Sequence, residues 1–503
     1  WILNGRFTLP NLSNPTYQGY VSDELSDENG YWTTNPTMTI DFDTPQDFSG
    51  LSFEFDNGYG FYPVGFKVQA FNSSISVFEE TYAPDNEYFT IDDAIPECDQ
   101  LVLTWLQSKK KGTRARLYSL IYGIVVRMGN EDITKCVCRR EIDTTSMVFP
   151  KYEFDFTMLD STGQYDPENP EGVWEYLEER QPVNVNIGYE LDNGNIEWMP
   201  WANTYSSGDV TINGTGVSTT VTIKTVSLLS HLSMVYDEGK YYVGGRTLAD
   251  LADDVMTFAG FEGAITLDDA LLSITTLQPL PKKTVKELLQ LIANAGRCVL
   301  NVERGGTISI LRHSTATLED FSMTRDKMLD NPKTTKIPPL RTINFTYNVP
   351  TVDTVLSTVI DAVSVTGATA TVYTFEHEAI TGNAVTVSAG LTSSNIISYA
   401  NKIINNTTIS KTYNVVGLDY NSLQNVLITD STSAIAYMDW ISAELARRNT
   451  YEVEDRGYPE LDTGDNIGFV SNFLSDINTT VLGSDITFDG TLHGKTKHLI
   501  INP

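Results

Sequence analysis

Cysteine is scarce in this chain, with four in 503 residues: Cys98, Cys136, Cys138 and Cys298. Cys136 and Cys138 stand two apart on a strand-like run and cannot easily bridge each other. A second close pair, or a histidine at ligand spacing, is missing, so no zinc site is spelled out and buried free thiols are expected. Histidine is equally sparse. The five, at 231, 313, 377, 493 and 498, form no ligand set, and His377 between Glu376 and Glu378 lacks the spacing of a metalloprotease helix. Basic residues number 34 against 65 acidic ones, a formal net charge of −31. Such a surface repels phosphate, which argues against direct nucleic-acid recognition and for plain solubility. No apolar run approaches the roughly 18 residues of a membrane span, and no signal peptide is visible, although residue 1 is Trp rather than Met.

Catalytic patterns are missing too. Gly494-Lys495-Thr496 invites comparison with a phosphate loop, but Gly490 stands one residue too close and no helix-forming run follows, so a β-hairpin is expected. No G-x-S-x-G elbow or Cys/His signature occurs. Glu175, Glu178 and Glu179 cluster beside Arg180 without an apolar pocket, which describes a solvated face rather than an acid–base pair. The chain is expected not to be an enzyme.

What the chain has is aromatic and β-forming residues: 25 Tyr, 21 Phe and many Thr, Val and Ile. Its length exceeds what one core of about 250–300 residues can serve, so several domains are expected. Within 1–128, short strand-like runs recur at 37–42, 51–55, 64–71, 75–82, 86–91, 101–106 and 115–127, the spacing of a sandwich or jelly roll. Residues 152–194 form the organising stretch of a second β unit, 129–235. Tyr152, Phe154 and Phe156 alternate with polar residues, a loop holds Pro167 and Pro170, Glu171–Arg180 reads as a short helix, and Val183, Val185 and Ile187 alternate up to an Asp192-Asn193-Gly194 turn.

Residues 236–330 change to α+β. Thr247 caps a helix with Leu248, Leu251, Ala252, Val255 and Met256 at helical spacing, closed by Gly260. Thr284 and Glu287 form a capping box for a second helix that ends at Gly296. Strands at 298–303 and 307–312 follow, joined at Gly305-Gly306. Residues 331–503 are again β-rich, with a helix at 434–448 whose face is Ile435, Met438, Ile441 and Leu445. The fold class is therefore mainly β with a smaller α+β part.

The opening WILNGRFTLP, then Tyr20-Val21-Ser22, Leu25-Ser26-Asp27-Glu28-Asn29-Gly30 and Asn35-Pro36-Thr37-Met38-Thr39-Ile40, resembles prophage tail proteins from Gram-positive hosts. In that family this segment is a galactose-binding-like jelly roll. The order of elements through 129–235, with Trp198, Trp201 and Thr211-Ile212-Asn213-Gly214, resembles the tail-tube-like barrel of baseplate hub proteins. The ending Phe488-Asp489-Gly490-Thr491-Leu492-His493-Gly494-Lys495-Thr496-Lys497 also resembles phage tail proteins.

The resemblance implies a jelly-roll sandwich, two tail-tube-like β-barrels (129–235 and 331–503) and an intervening helix–hairpin domain. It implies a structural tail-tip protein that assembles as a homotrimer and joins the hexameric tail tube to a three-fold tip. Its partners would be tail tube, distal tail, tail-tip or fibre proteins, and its place a virion tail assembled in the bacterial cytoplasm. The rivals are a surface carbohydrate-binding protein and a cell-wall-degrading tail enzyme. Tyr59, Phe61 and Tyr62 are the candidate sugar platform, with a host surface glycan as ligand. Asp23, Asp27 and Glu28 could offer oxygens to calcium, and no other cofactor is expected. Tyr152, Phe154, Glu171, Trp174 and Glu178 are the candidate assembly interface.

Overall fold

The computed structural model of the chain describes residues 19–55, 60–123, 125–126, 128–169, 172–174, 177–191, 196–214, 219–239, 244–261, 263–313, 321–352, 359–362, 385–388, 396–470 and 477–501. The fold is mainly β, and helices are few. The chain separates into two compact units, Trp1–Met128 and Gly129–Pro503.

In the first unit, strands alternate apolar and polar residues and bury the apolar face. Thr37–Phe48, Ile95–Ser108, Pro63–Asn72 and Ile75–Tyr82 form one antiparallel sheet in that order, and Tyr88–Ile91, Leu51–Glu54 and Ser119–Tyr122 form another. The two share a core in which Phe66 meets Phe53 edge-on at 5.1 Å and Trp105 at 5.2 Å. The single strand expected over 115–127 is instead two short ones, because the chain changes partner at Tyr118. Arg116–Leu117 pairs with Tyr20–Val21, and Ser119–Tyr122 with Leu51–Glu54. Asp27-Glu28-Asn29-Gly30 is a turn. Gly30 sits at φ +85°, with Ser108 O only 2.3 Å from where a Cβ would stand, so a side chain there has no room.

The second unit is built on an 11-stranded sheet. Nine of its strands follow one path: Pro182–Glu190, Ile196–Asn213, Thr219–Val226, Lys151–Asp160, Ile133–Glu141, Ile477–Phe488, Leu492–Ile500, Asn449–Asp455 and Lys333–Lys336. Every neighbouring pair along it is antiparallel. Segments 129–235 and 331–503, expected as two barrels with the 236–330 domain between them, meet in one sheet. Gly494-Lys495-Thr496 lies inside the Leu492–Ile500 strand, paired back to Ile477–Phe488.

Two helices begin where their caps predict, and the third, expected over 434–448, begins three residues earlier. Thr247 Oγ1 accepts the Asp250 amide at 3.1 Å at the head of Leu248–Phe258, whose buried stripe is the expected one. Val285–Gly296 carries the Thr284–Glu287 capping box. Gly296 is the last residue of that helix rather than its terminator; the left-handed cap falls on Arg297 at φ +58°. Packing explains the glycine, since a Cβ would lie 2.2 Å from Leu271 Cδ2. The last helix runs Ser431–Ala446 from the Asp430 N-cap. Its buried stripe is Ala434, Tyr437, Met438, Ile441 and Glu444, and Ile435 is exposed, because Tyr437 packs tilted against Phe345 with ring centroids 4.6 Å apart and sets the roll of the helix.

The helix expected over Glu171–Arg180 is not formed among the described residues. The Gly172 amide donates to Asn169 O at 3.1 Å and the Val173 amide to Gln164 O at 2.7 Å, so the backbone closes a loop instead. Arg180 adopts φ +72°, outside the helical region.

Candidate functional site

The feature most distinctive of the second unit is the seam where Ile133–Glu141 pairs with Ile477–Phe488. Alternation puts Cys136, Cys138 and Arg140 of the first strand on its buried face. Burial pushes both thiols up to about 12, so they stay protonated and inert. Arg140 is buried as well. Its Nη1 donates to Asp462, its Nη2 to Val302 O at 2.5 Å, and its guanidinium lies over the Tyr152 ring at 4.6 Å. Burial works against this charge, but Asp462 and Tyr152 outweigh it and hold the Arg140 pKa above its ordinary value. Tyr152 Oη in turn donates to Arg304 O at 3.2 Å and accepts the Asn203 amide at 3.1 Å. One cluster thereby ties together both β segments and the hairpin between them.

A second set of polar clamps sits beside it. Asp143 caps the 143–148 turn by accepting the amides of Thr145, Met147 and Val148. Ser146, at φ +50°, donates to Cys298 O at 2.9 Å and accepts the Leu300 amide at 2.8 Å. Asn294 donates to Thr145 O at 3.0 Å, and Asn425 to Asn294 Oδ1 at 3.0 Å. Arg447 donates to His313 Nδ1 at 2.9 Å, which leaves His313 Nε2–H for Thr480 Oγ1 at 3.1 Å. Burial, helped by Arg447, lowers the His313 pKa to about 4 and keeps the ring neutral. These contacts pin the helix–hairpin segment onto the seam.

The opposite face of the sheet is polar and ordered by charge. Register sets Glu153, Arg139, Asp485, Lys495 and Glu454 in one row across five strands, with signs alternating throughout. The next row is Lys151, Glu141, Gly483, Lys497, Glu452 and Lys333. Lys497 reaches Glu141 across the seam at 2.9 Å, Lys495 reaches Glu452 at 3.2 Å, and Arg139 reaches Asp155 at 2.6 Å. Opposite charges placed face to face on neighbouring strands attract, modestly at exposed sites. In a chain of net charge −31 this face is close to neutral.

The path has two ends. At one, Pro182–Glu190 covers only the first half of Ile196–Asn213, and among the described residues Val210–Asn213 has a sheet neighbour on one side, Thr219–Val226. The ribbon tip exposes Tyr189 by 72% and Trp198 by 61%. At the other end, Lys333–Lys336 is exposed throughout and, among the described residues, pairs with Asn449–Asp455.

Of the candidate interface residues, Tyr152 and Phe154 lie in the core, with Trp201 edge-on to Phe154 at 5.3 Å, so neither has a surface to offer a partner. Trp174 is half-buried, Glu178 is exposed, and Glu171 lies outside the described residues. In the first unit, Tyr59 lies outside the described residues. Lys110 stands over the Phe61 ring at 4.5 Å and Lys109 over the buried Tyr62 ring at 4.2 Å, so these rings pack on cations of their own unit. Tyr62 and Lys109 line an open cleft of about 1010 Å³ with Asp85, Glu87 and Tyr88. Asp27, the central calcium candidate, spends Oδ1 on the amides of Asn29 and Tyr31, both at 2.8 Å, while Asp23 and Glu28 are exposed. No cluster of metal-ligand type occurs among the described residues. The Arg140 cluster escaped sequence reading, because its members are local neighbours of nothing. The charge rows had a signal: same-sign pairs two apart, such as Glu452/Glu454 and Lys495/Lys497.

No protein-family model matches the sequence, and no curated protein matches it. Among solved structures, the chain is similar to the 43 kDa tail protein of prophage MuSo2 from Shewanella oneidensis, at 14% identity over 73% of this chain and 94% of that one, TM-score 0.45. It is also similar to a tail protein from Neisseria meningitidis, at 10% identity over 73% and 92%, TM-score 0.43. A third is prophage tail protein gp18 from Listeria monocytogenes, at 8% identity over 74% and 90%, TM-score 0.38.

Proposed function

We propose that the chain is a structural tail-tip protein of a phage or prophage particle, a homotrimeric ring that adapts a hexameric tail tube to a three-fold tip. The observation that carries this reading is the welded sheet. Two β segments far apart in sequence act as consecutive sectors of one antiparallel wall, which is how three chains could present six similar sectors. A wall of that kind has one face packed on a core and one face open. The near-neutral charged rows would line the channel, where balanced charge lets a passing polymer slide without being held. Tail tube and distal tail proteins would stack on the ring, and tip or fibre proteins would hang from it. The first unit would serve as an outer surface-contact module; its cleft beside Tyr62 is the place to look for a glycan.

The test is native mass spectrometry together with electron microscopy of the purified chain. A trimer with a central channel is expected. A compact monomer at every concentration, including with tail tube protein added, would remove the ring reading. Soluble glycans titrated onto the first unit give the separate test of the sugar cleft.

A further inference from the structure

The first unit gathers its positive charge in one place. Lys109, Lys110, Lys111, Arg114 and Arg116 are five of the eight basic residues in the sequence of residues 1–128, which holds 17 acidic ones. Like charges this close repel, so the run needs oxygens and rings to hold it. Arg114 Nη1 donates to Ser22 O and Asp23 O. Lys109 donates to the Tyr62 hydroxyl and lies over that ring at 4.2 Å. Lys110 and Arg116 lie over the Phe61 ring at 4.5 Å and 4.8 Å. Carbonyls, a phenol and ring faces steady a cation without cancelling its charge.

The cleft of the first unit opens beside them. Pro63 pairs with Ser108, and the Lys109 amide donates to Tyr62 O at 3.1 Å, so the end of one sheet presents Tyr62 and Lys109 as a wall. The other wall is 85–90, leading into Tyr88–Ile91 of the second sheet, where Glu54 pairs with Tyr88 and the Phe55 amide donates to Glu87 O at 2.8 Å. Glu87 Oε2 accepts the Gly60 amide at 2.9 Å and ties the walls together. Lys110 Nζ stands 3.6 Å from where a Gly60 Cβ would begin, which puts a second lysine at the rim. A volume of about 1010 Å³ has room for a short oligosaccharide rather than a lone ion.

Three chemistries meet in that space: lysine cations, the Asp85 and Glu87 carboxylates, and the rings of Tyr62, Tyr88 and Phe89. Carboxylates accept hydroxyl donors, and a lysine binds an anion as a point charge. A nucleic acid, charged at every step, meets repulsion from Asp85 and Glu87. A neutral sugar leaves the lysines without an ionic partner. We propose that the cleft takes an acidic saccharide, a sugar whose hydroxyls donate to Asp85 and Glu87 and whose single anionic group, phosphate or carboxylate, sits at Lys109 and Lys110. The proposal rests on the reading of this cleft as a glycan site and narrows the class of glycan.

The experiment is isothermal titration of the full chain with matched pairs of sugars. Trigalacturonate against its methyl ester tests a carboxylate, and glucose 6-phosphate against glucose tests a phosphate. The charged member of at least one pair is expected to bind about tenfold more tightly at low salt, with the preference shrinking as sodium chloride is added. Lys109→Gln with Lys110→Gln should bring the two members to within about twofold, whereas Asp85→Asn should weaken both alike. Matching thermal unfolding curves confirm that the variants are folded. Equal binding of charged and neutral members overturns the acidic class and leaves the glycan reading standing. If no sugar binds, both fall. A preference that survives in the lysine variant places the anion elsewhere and overturns the proposal. So does displacement of the charged sugar by an equal concentration of inorganic phosphate or oligothymidylate, which would show an anion site indifferent to sugar.

Discussion

The sheet of the second unit can be followed through a seam and then to an end, and the two are built differently. Where Ile133–Glu141 meets Ile477–Phe488 the strands are joined for good: Arg140 is buried against Asp462, and Ser146, Asn294 and His313 fasten the flanking segments. Where Lys333–Lys336 stops, the same antiparallel backbone is left short, exposed and basic. A seam within one chain forms at high effective concentration and tolerates buried polar chemistry whose partners arrive together. On the proposed reading such an end receives another molecule; it must then stay soluble beforehand, with its chemistry held at the surface. The difference separates folding from assembly.

That separation breaks most readily at Asp462. Asp462→Ala leaves the Arg140 guanidinium buried without its carboxylate and should cost about 3–5 kcal/mol of unfolding free energy. Urea denaturation followed by tryptophan fluorescence measures it. A loss near zero would mean that Arg140 finds water in the opened space and that the seam does not depend on the pair.

Acid should come next. His313 and His498 have pKa values lowered by burial to about 4 and about 3, with Arg447 adding to the effect at His313. An unfolded chain takes up these protons near pH 6.5, whereas the folded chain does not. Their contribution to stability is therefore complete above about pH 6.5 and is lost as pH falls toward the folded values. At pH 5 the loss approaches about 2 kcal/mol for each ring. Glu444 and Asp455, whose pKa values burial raises, act with the opposite sign as they protonate. The check is the urea midpoint against pH for the native chain and for His313→Gln; an unchanged slope in the variant would clear His313 of the effect.

Ser146→Ala tests the clamp rather than the charge. It removes a hydroxyl that accepts the buried Leu300 amide and donates to Cys298 O, and should cost about 1–3 kcal/mol. Amide hydrogen exchange at Leu300 should speed up more than exchange in the Lys333–Lys336 strand. Equal acceleration at both would show that the seam and the end unfold as one, and the contrast between them would lose its force.

How much of this was legible in the sequence depends on distance along the chain. Caps at Thr247 and Thr284 and the alternation of Tyr152, Phe154 and Phe156 are local signals, and the fold follows them. Period alone cannot separate a core face from an interface face, which is why Tyr152 and Phe154 were candidates for assembly although both are buried. The Glu171–Arg180 stretch has helical spacing, but Gly172 and the turn at 163–169 capture its backbone. The roll of the 431–446 helix depends on Phe345, about 90 residues upstream, so helical spacing alone places Ile435 on the buried stripe where the fold buries Ala434. Arg140 and Asp462 lie 322 residues apart, and no window of sequence contains both.

The smallest effect on folding is expected at the ribbon tip. Trp198 is 61% exposed and Tyr189 72%, so Trp198→Ser with Tyr189→Ser removes little that the isolated fold buries, and the unfolding free energy from urea titration should change by no more than about 0.5 kcal/mol. Large exposed aromatics are nevertheless costly to leave in water, and they sit at the end of the sheet where a neighbour would arrive. The same variant should therefore weaken self-association while its unfolding curve matches that of the unaltered chain, measured side by side by sedimentation and by urea titration. A variant that unfolds early would place the tip with the seam, as part of the fold. One that both folds and assembles normally would show that the ribbon faces something other than a second copy.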